Sequence, residues 1–396
     1  MTAPQPTAVS YAPDAPPVIT AIRGALNCQA SAGGMKISRL PGWTQAQYGE
    51  AGWMIADASS KLSGVRLEFE TDATWIELEL TFTRVSLDWV GLPTRPAVVS
   101  LTMADGTEQE LSFDEGHILQ LEPDFTTKLV PGSRTFARFE LPAADEPRSL
   151  ELWFPPNCSV ELHHVRADRD LRPSVPSNPR WIHYGSSISQ ASEADTPLGV
   201  WPVIAARRLE LDLLNLGLGG SAHLDQFAAR TIRDEPASLI TLKLGINVVN
   251  GGTLRSRTFT PAVHGFLDTI RDGHPDTPIV VISPILCPTH ENAPGPTIFD
   301  SNGIAQASDL PRKPNDGQLT LSDIREALAA AVEARSVSDP NLFFLDGTLL
   351  FGSDDVTHLP DGLHPDPEGY RLMGERFEAI ARTASWLPTS VKASEY

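Results

Sequence analysis

Between residues 65 and 165 the chain repeatedly alternates apolar and polar side chains, and beyond residue 180 short apolar runs alternate with stretches of helical period. The first pattern belongs to strands with one solvated face. The second belongs to strands covered on both faces by crossover helices. Alternation predicts strands over 65–71 and 75–83, and a hairpin from 98–103 to 108–113 around Asp105-Gly106, a pair that readily takes the positive φ of a tight turn. Two further strands, 150–154 and 159–165, flank Pro155-Pro156-Asn157. No long amphipathic helix stands out here. Residues 1–168 therefore read as an antiparallel β-sandwich or jelly-roll domain.

Residues 169–180 carry three prolines and no periodicity, as a linker does. From 181 to 396 strands are expected at 181–184, 211–216, 239–244, 279–283 and 342–345. Helices are expected near 200–209, 223–233, 261–271, 321–335 and 366–382. That alternation predicts an α/β domain, a three-layer α/β/α unit around a parallel sheet. Lys243 interrupts the most apolar strand, and the expectation is that it snorkels from the strand end or pairs with a carboxylate.

Composition narrows the function classes. The 396 residues hold 50 acidic and 31 basic side chains, a formal charge of −19, which repels phosphate backbones and anionic lipid. Neither nucleic acid nor a membrane surface is an expected partner. Cys28, Cys158 and Cys287 are odd in number and far apart, which fits neither a disulfide framework nor a zinc site. No basic segment followed by an apolar core opens the chain, and no apolar run reaches ~18–20 residues, so a cytoplasmic protein is expected.

Ligands of open parallel sheets bind beyond the carboxyl ends of the strands. Four segments fall there: Gly185-Ser186-Ser187-Ile188-Ser189, Asn215 to Ser221 with three glycines, Gly245-Ile246-Asn247, and Asp361-Gly362-Leu363-His364. Together they bring a hydroxyl, backbone amides, a carboxamide and an Asp/His pair to one rim, the groups needed for nucleophilic acyl transfer.

In these four blocks, in this order, the chain resembles the SGNH, or GDSL-type, esterase and acyltransferase family over residues 179–396. The resemblance implies a flavodoxin-like catalytic domain with Ser187 as nucleophile, His364 as base and Asp361 as its orienting acid. It implies an oxyanion hole from the amides of Ser187 and Gly220 and the side chain of Asn247. Ser186 stands where the family usually has Asp, and Val248 where an Asp often follows the asparagine. With two domains, the chain is most similar to the family's tailoring acyltransferases of tetracycline-type polyketide pathways. That likeness implies an aryl acyl group taken from a coenzyme A thioester, itself a substrate, to a hydroxyl acceptor, with no resident cofactor. The alternatives are a carbohydrate or small-molecule esterase with a glycan-binding N-terminal module, and a binding protein that kept the fold.

Some residues compete for these roles. Asp355 and His358 repeat the Asp-x-x-His spacing, and His358 is expected at most to line the pocket. Ser186 and Ser189 are expected to cap the following turn. No histidine pair has metal-ligand spacing: His163-His164 should point to opposite faces of a strand, and His290-Glu291 lacks a second histidine. The Pro-rich stretch 284–318, too long for an ordinary loop, is expected to form a lid.

Overall fold

The computed structural model describes residues 8–86, 94–122, 126–309, 316–388 and 391. The chain divides into two compact units: Met1–Arg39, Ser59–Ser177 and Asp195–Leu198 form one, and Leu40–Ala58, Asn178–Ala194 and Gly199–Tyr396 form the other. The segment Leu40–Ala58 lies inside the stretch read from the sequence as the first domain, yet it packs with the second unit.

The first unit is strand-rich, with an eight-stranded and a six-stranded sheet among the described residues. The alternating runs become Arg66–Thr71 and Trp75–Ser86, and their inward side chains (Leu67 and Phe69 of one sheet, Ile76, Leu78 and Leu80 of the other) meet in a single apolar cluster. The expected hairpin pairs Ala97–Met103 with Glu108–Phe113, and Gly106 supplies a φ of 86° at its turn. Strand pairing is not purely antiparallel: His117–Leu121 lies parallel to Trp75–Ser86. The chain reaches that strand after an excursion into the other sheet, and only a tight hairpin would have forced the antiparallel sense. The ladder of Cys158–Ala167 is irregular between Leu162 and His164, at His163, which is buried 2.8 Å from Thr81 Oγ1, while half-exposed His164 lies 3.3 Å from Glu79.

The second unit is built on five strands, all parallel, in the spatial order Asp212–Gly217, Arg180–Gly185, Leu239–Lys243, Ile279–Ile282, Leu342–Leu345. In chain order this is 2-1-3-4-5, the doubly wound order of flavodoxin-like folds. Three of these strands are buried along their whole length, and most of their side chains are apolar, as strands covered on both faces require. The last helix, Pro367–Thr383, packs on Trp201–Arg208, and its Phe377 ring stacks on Trp181 with centroids 5.1 Å apart. Pro367 sits in its first turn and the Asp366 carboxylate accepts the Gly369 N–H, a helix start visible in the sequence. The helix at 261–271 begins earlier, at Ser256, because Thr258 Oγ1 caps the Arg255 N–H and Pro261 is tolerated inside the helix.

Lys243 departs from its expectation. It neither snorkels nor pairs: the residue is 1 % exposed and Nζ has no hydrogen-bond partner among the described residues. It sits in a central strand, with neighbours on both sides, and its side chain has no route to water.

The stretch 284–309 is ordered into a short helix, Pro288–Glu291, and a small hairpin, Thr297–Phe299 with Ala305–Ala307. His290 and Glu291 hold it together. Buried His290 bridges Thr297 Oγ1 and the Ala293 carbonyl, and Glu291 pairs with Arg325. Lys313-Pro314, part of the expected lid, lies outside the described residues. All three cysteines are free thiols. Among the described residues no helix is long and apolar enough to cross a membrane.

Candidate active site

The first strand ends at Gly185, and Ser186 caps a short helix, Ser187–Gln190, by accepting the Ile188 N–H. Ser187 is the first residue of that helix, so its hydroxyl stands at the carboxyl edge of the sheet. The turn is held from beneath. Trp201 Nε1 donates to the Ile188 carbonyl, and Asn215 Nδ2 donates to the Ser189 carbonyl at 2.9 Å. Ser189 does not cap, as was expected of it; its Oγ lies 2.8 Å from His183 Nε2, in a buried chain that runs on through Thr241 to Trp181.

The second strand delivers the glycine segment. Gly219 N–H donates to Gln190 Oε1 at 3.0 Å, tying this loop to the serine helix. Gly220 has a φ of 65°, a region that disfavours any side chain with a Cβ. Asn247 lies in the helix Ile246–Gly251, whose cap, Gly245, has a φ of 106°. Its Oδ1 accepts the Ala222 N–H at 3.1 Å, which leaves the Nδ2 donors for another acceptor and joins the asparagine to the glycine loop. This helix was not expected from the sequence, because it is only six residues long and framed by glycines.

The Asp361–His364 loop closes the arrangement. Asp361 Oδ1 accepts the N–H groups of Leu363 and His364 at 2.8 and 2.7 Å, and its Oδ2 lies 2.6 Å from His364 Nδ1. A spacing of three residues suits this geometry, since one carboxylate wraps its own loop and still meets the ring. His364 Nε2 lies 2.8 Å from Ser187 Oγ, across 177 residues of sequence. Ser187, His364 and Asp361 are thus brought into one hydrogen-bonded line.

The decoy pair is not brought together. Asp355 is held by Arg376 through two hydrogen bonds, and His358 Nδ1 lies 3.0 Å from Asp366, the cap of the last helix.

Two features escaped the sequence reading. Glu193, on the loop after the serine helix, accepts a hydrogen bond from Tyr370 Oη at 2.8 Å and acts electrostatically on His364. Burial pushes the His364 imidazole down, but the carboxylates of Glu193 and Asp361 more than offset it, and its pKa is raised to about 9. Burial pushes Asp361 up, while hydrogen bonds from His364 and the backbone outweigh it and lower its pKa. Met54 is the second: its Cε would stand 3.1 Å from a Cβ placed on Gly220. Neither residue lies in a block with readable spacing.

No group of three or more His, Cys, Asp or Glu side chains that could hold a metal ion occurs among the described residues.

Residues 183–372 match the model of the GDSL-like lipase/acylhydrolase family. Among solved structures, the chain is similar to a salicylyl-acyltransferase from a tetracycline biosynthetic pathway, with 26% identity and a TM-score of 0.77 over 96% of this chain and 99% of that one. It is also similar to a family two carbohydrate esterase from Clostridium thermocellum (14% identity, TM-score 0.58, 92% of this chain and 100% of that one). A family two carbohydrate esterase from Cellvibrio japonicus matches at 12% identity and TM-score 0.55, over 95% of this chain and 97% of that one. The two esterases share the fold. No curated protein sequence matches the chain.

Proposed function

The chain belongs to the GDSL-like lipase/acylhydrolase family through residues 183–372, and from that premise we propose that it is a serine acyltransferase working through an acyl-enzyme on Ser187. The donor is an aryl acyl thioester of coenzyme A, and the acceptor is a hydroxyl of a polyketide-like small molecule. The observation that carries the reading is the line from Asp361 through His364 to Ser187, with contacts of 2.6 and 2.8 Å. The likeness, across 96% of the chain, to a salicylyl-acyltransferase from a tetracycline biosynthetic pathway favours an aryl acyl group and a polyketide-like acceptor.

A serine hydroxyl is a weak nucleophile until a neighbouring base takes its proton. Ser187 Oγ attacks the thioester carbonyl as that proton moves to His364 Nε2, and Asp361 and Glu193 stabilise the imidazolium. The oxyanion is met by the N–H groups of Ser187 and Gly220 and by Asn247 Nδ2, whose orientation is set by the Ala222 bond. The carbon–sulfur bond breaks and the thiolate leaves with the proton from His364. The acceptor hydroxyl then loses its proton to the same nitrogen and attacks the acyl-enzyme; the bond from the acyl carbon to Ser187 Oγ breaks, Oγ takes the proton back from His364, and the ester leaves. Water in its place gives the hydrolase reaction. The chemistry needs no resident cofactor.

Intact-mass measurement after exposure to benzoyl and salicyl coenzyme A tests the reading. One acyl adduct per chain is expected, mapped to the peptide holding Ser187 and absent in Ser187→Ala. An adduct on another residue, or an unchanged rate in Ser187→Ala, overturns it.

A further inference from the structure

The segment Leu40–Ala58 comes from the first half of the sequence but belongs to the compact unit that carries Ser187. It is fastened to the helix Gln226–Asp234, which follows the glycine loop. The Tyr48 ring lies 5.3 Å from Phe227, and the Arg230 guanidinium sits 4.6 Å from the centre of the Trp43 ring. From this segment the helix Gly52–Ser60 lays Met54 on the glycine loop itself, its Cε 3.1 Å from the place a Gly220 Cβ would take. Met54 is partly exposed there, so its thioether end meets both the loop and whatever lies against it.

We propose that Met54 is a specificity residue: it forms a wall for the group attached to the reacting carbonyl and favours a planar aryl acyl group over a small alkyl one. The proposal rests on the acyl-enzyme reading of Ser187. The Gly220 amide nitrogen is bonded, at ~1.46 Å, to the Cα that would carry that Cβ. An oxyanion accepted by that amide sits ~2.9 Å further on, so the carbonyl substituent falls within reach of the thioether. A methionine suits this place because its unbranched, polarisable side chain adapts to a ring and gains from sulfur–aromatic contact, worth up to about tenfold in affinity.

The test measures the rate of Ser187 phosphonylation by ethyl p-nitrophenyl phenylphosphonate and by its methylphosphonate counterpart, in the full-length native chain and in Met54→Ala and Met54→Leu. The phosphorus substituent stands where the acyl group would. The phenyl-to-methyl rate ratio should fall three- to tenfold in Met54→Ala and by less in Met54→Leu, which keeps the bulk without the sulfur. A ratio within twofold of native in both variants, with Ser187 still labelled, overturns the role of Met54 alone. Absence of a Ser187 label in the native chain overturns the acyl-enzyme reading, and this proposal with it.

Discussion

Replacing Lys243 by methionine should make the second unit markedly more stable at neutral pH. The amine is 1 % exposed, has no hydrogen-bond partner among the described residues, and lies in a strand flanked on both sides. Burial lowers its pKa from 10.5 to about 7, with Arg325 adding a smaller push in the same direction. Each pKa unit corresponds to ~1.36 kcal/mol, so forcing the charged form into this site costs about 5 kcal/mol. At pH 7, where the folded amine is half neutral, the cost is about 4 kcal/mol. The sign follows from proton counts. Below pH 7 both states hold the proton and the full cost stands. Between about 7 and 10.5 the unfolded chain binds more protons than the folded one, so stability rises with pH. Above 10.5 the lysine is neutral in both states and the cost is gone. Methionine has a similar volume and no group to desolvate, and volume-conserving swaps are tolerated best. At ~2–4 °C per kcal/mol for a unit of this size, Lys243→Met should melt ~8–16 °C higher at pH 7. Scanning calorimetry from pH 6.5 to 10 should show that advantage shrinking as the pH rises. A variant no more stable than native at pH 7, or an advantage independent of pH, would refute the reasoning.

The acid limb of kcat/KM should have its midpoint near pH 9 rather than in the ordinary histidine range of ~6–7, because a protonated His364 cannot accept the Ser187 proton. Glu193→Gln should move that midpoint to lower pH while the alkaline plateau is largely kept; stopped-flow ester hydrolysis from pH 5.5 to 10 reads both, and an unmoved midpoint removes Glu193 from the base's environment. His364→Ala should lose several orders of magnitude in kcat, whereas His358→Ala, which only frees the helix cap Asp366, should stay within tenfold of native. If His358→Ala proves the more damaging, the base has been assigned to the wrong histidine.

Much of the fold is legible because its elements carry their own local signals. Glu108–Phe113 alternates between half-exposed and exposed positions beside a hairpin turn, Leu321–Arg335 opens on a Thr320–Asp323 capping box, and both begin and end where the pattern expects. The segment Leu40–Ala58 is not legible. Pro41-Gly42, Gly49 and Gly52 read as loop, and its short helices are kept by packing of Tyr48 and Met54 rather than by any period of their own. The parallel pairing of His117–Leu121 escapes for a related reason: alternation says which face of a strand is buried and nothing about which neighbour it chooses.

The site divides along the same line. Asp361 and His364 are readable because their hydrogen bonds close within a single loop, where a spacing of three residues nearly dictates the geometry. Ser187, Gly220 and Asn247 are readable because a parallel sheet sends every strand end to one rim, so position after a strand stands in for position in space. Glu193 and Met54 follow neither rule. Glu193 depends on a left-handed turn at Ala191 and on Tyr370 arriving from the last helix, and Met54 depends on a segment that leaves the unit preceding it in sequence. Lys243 is the sharpest case. A lysine at the end of an apolar strand can reach water or a carboxylate in most settings, and only the register of the strands on either side removes both options here. Its charge state, like the basicity of His364, belongs to the packed sheet and its loops, and no stretch of sequence read alone carries it.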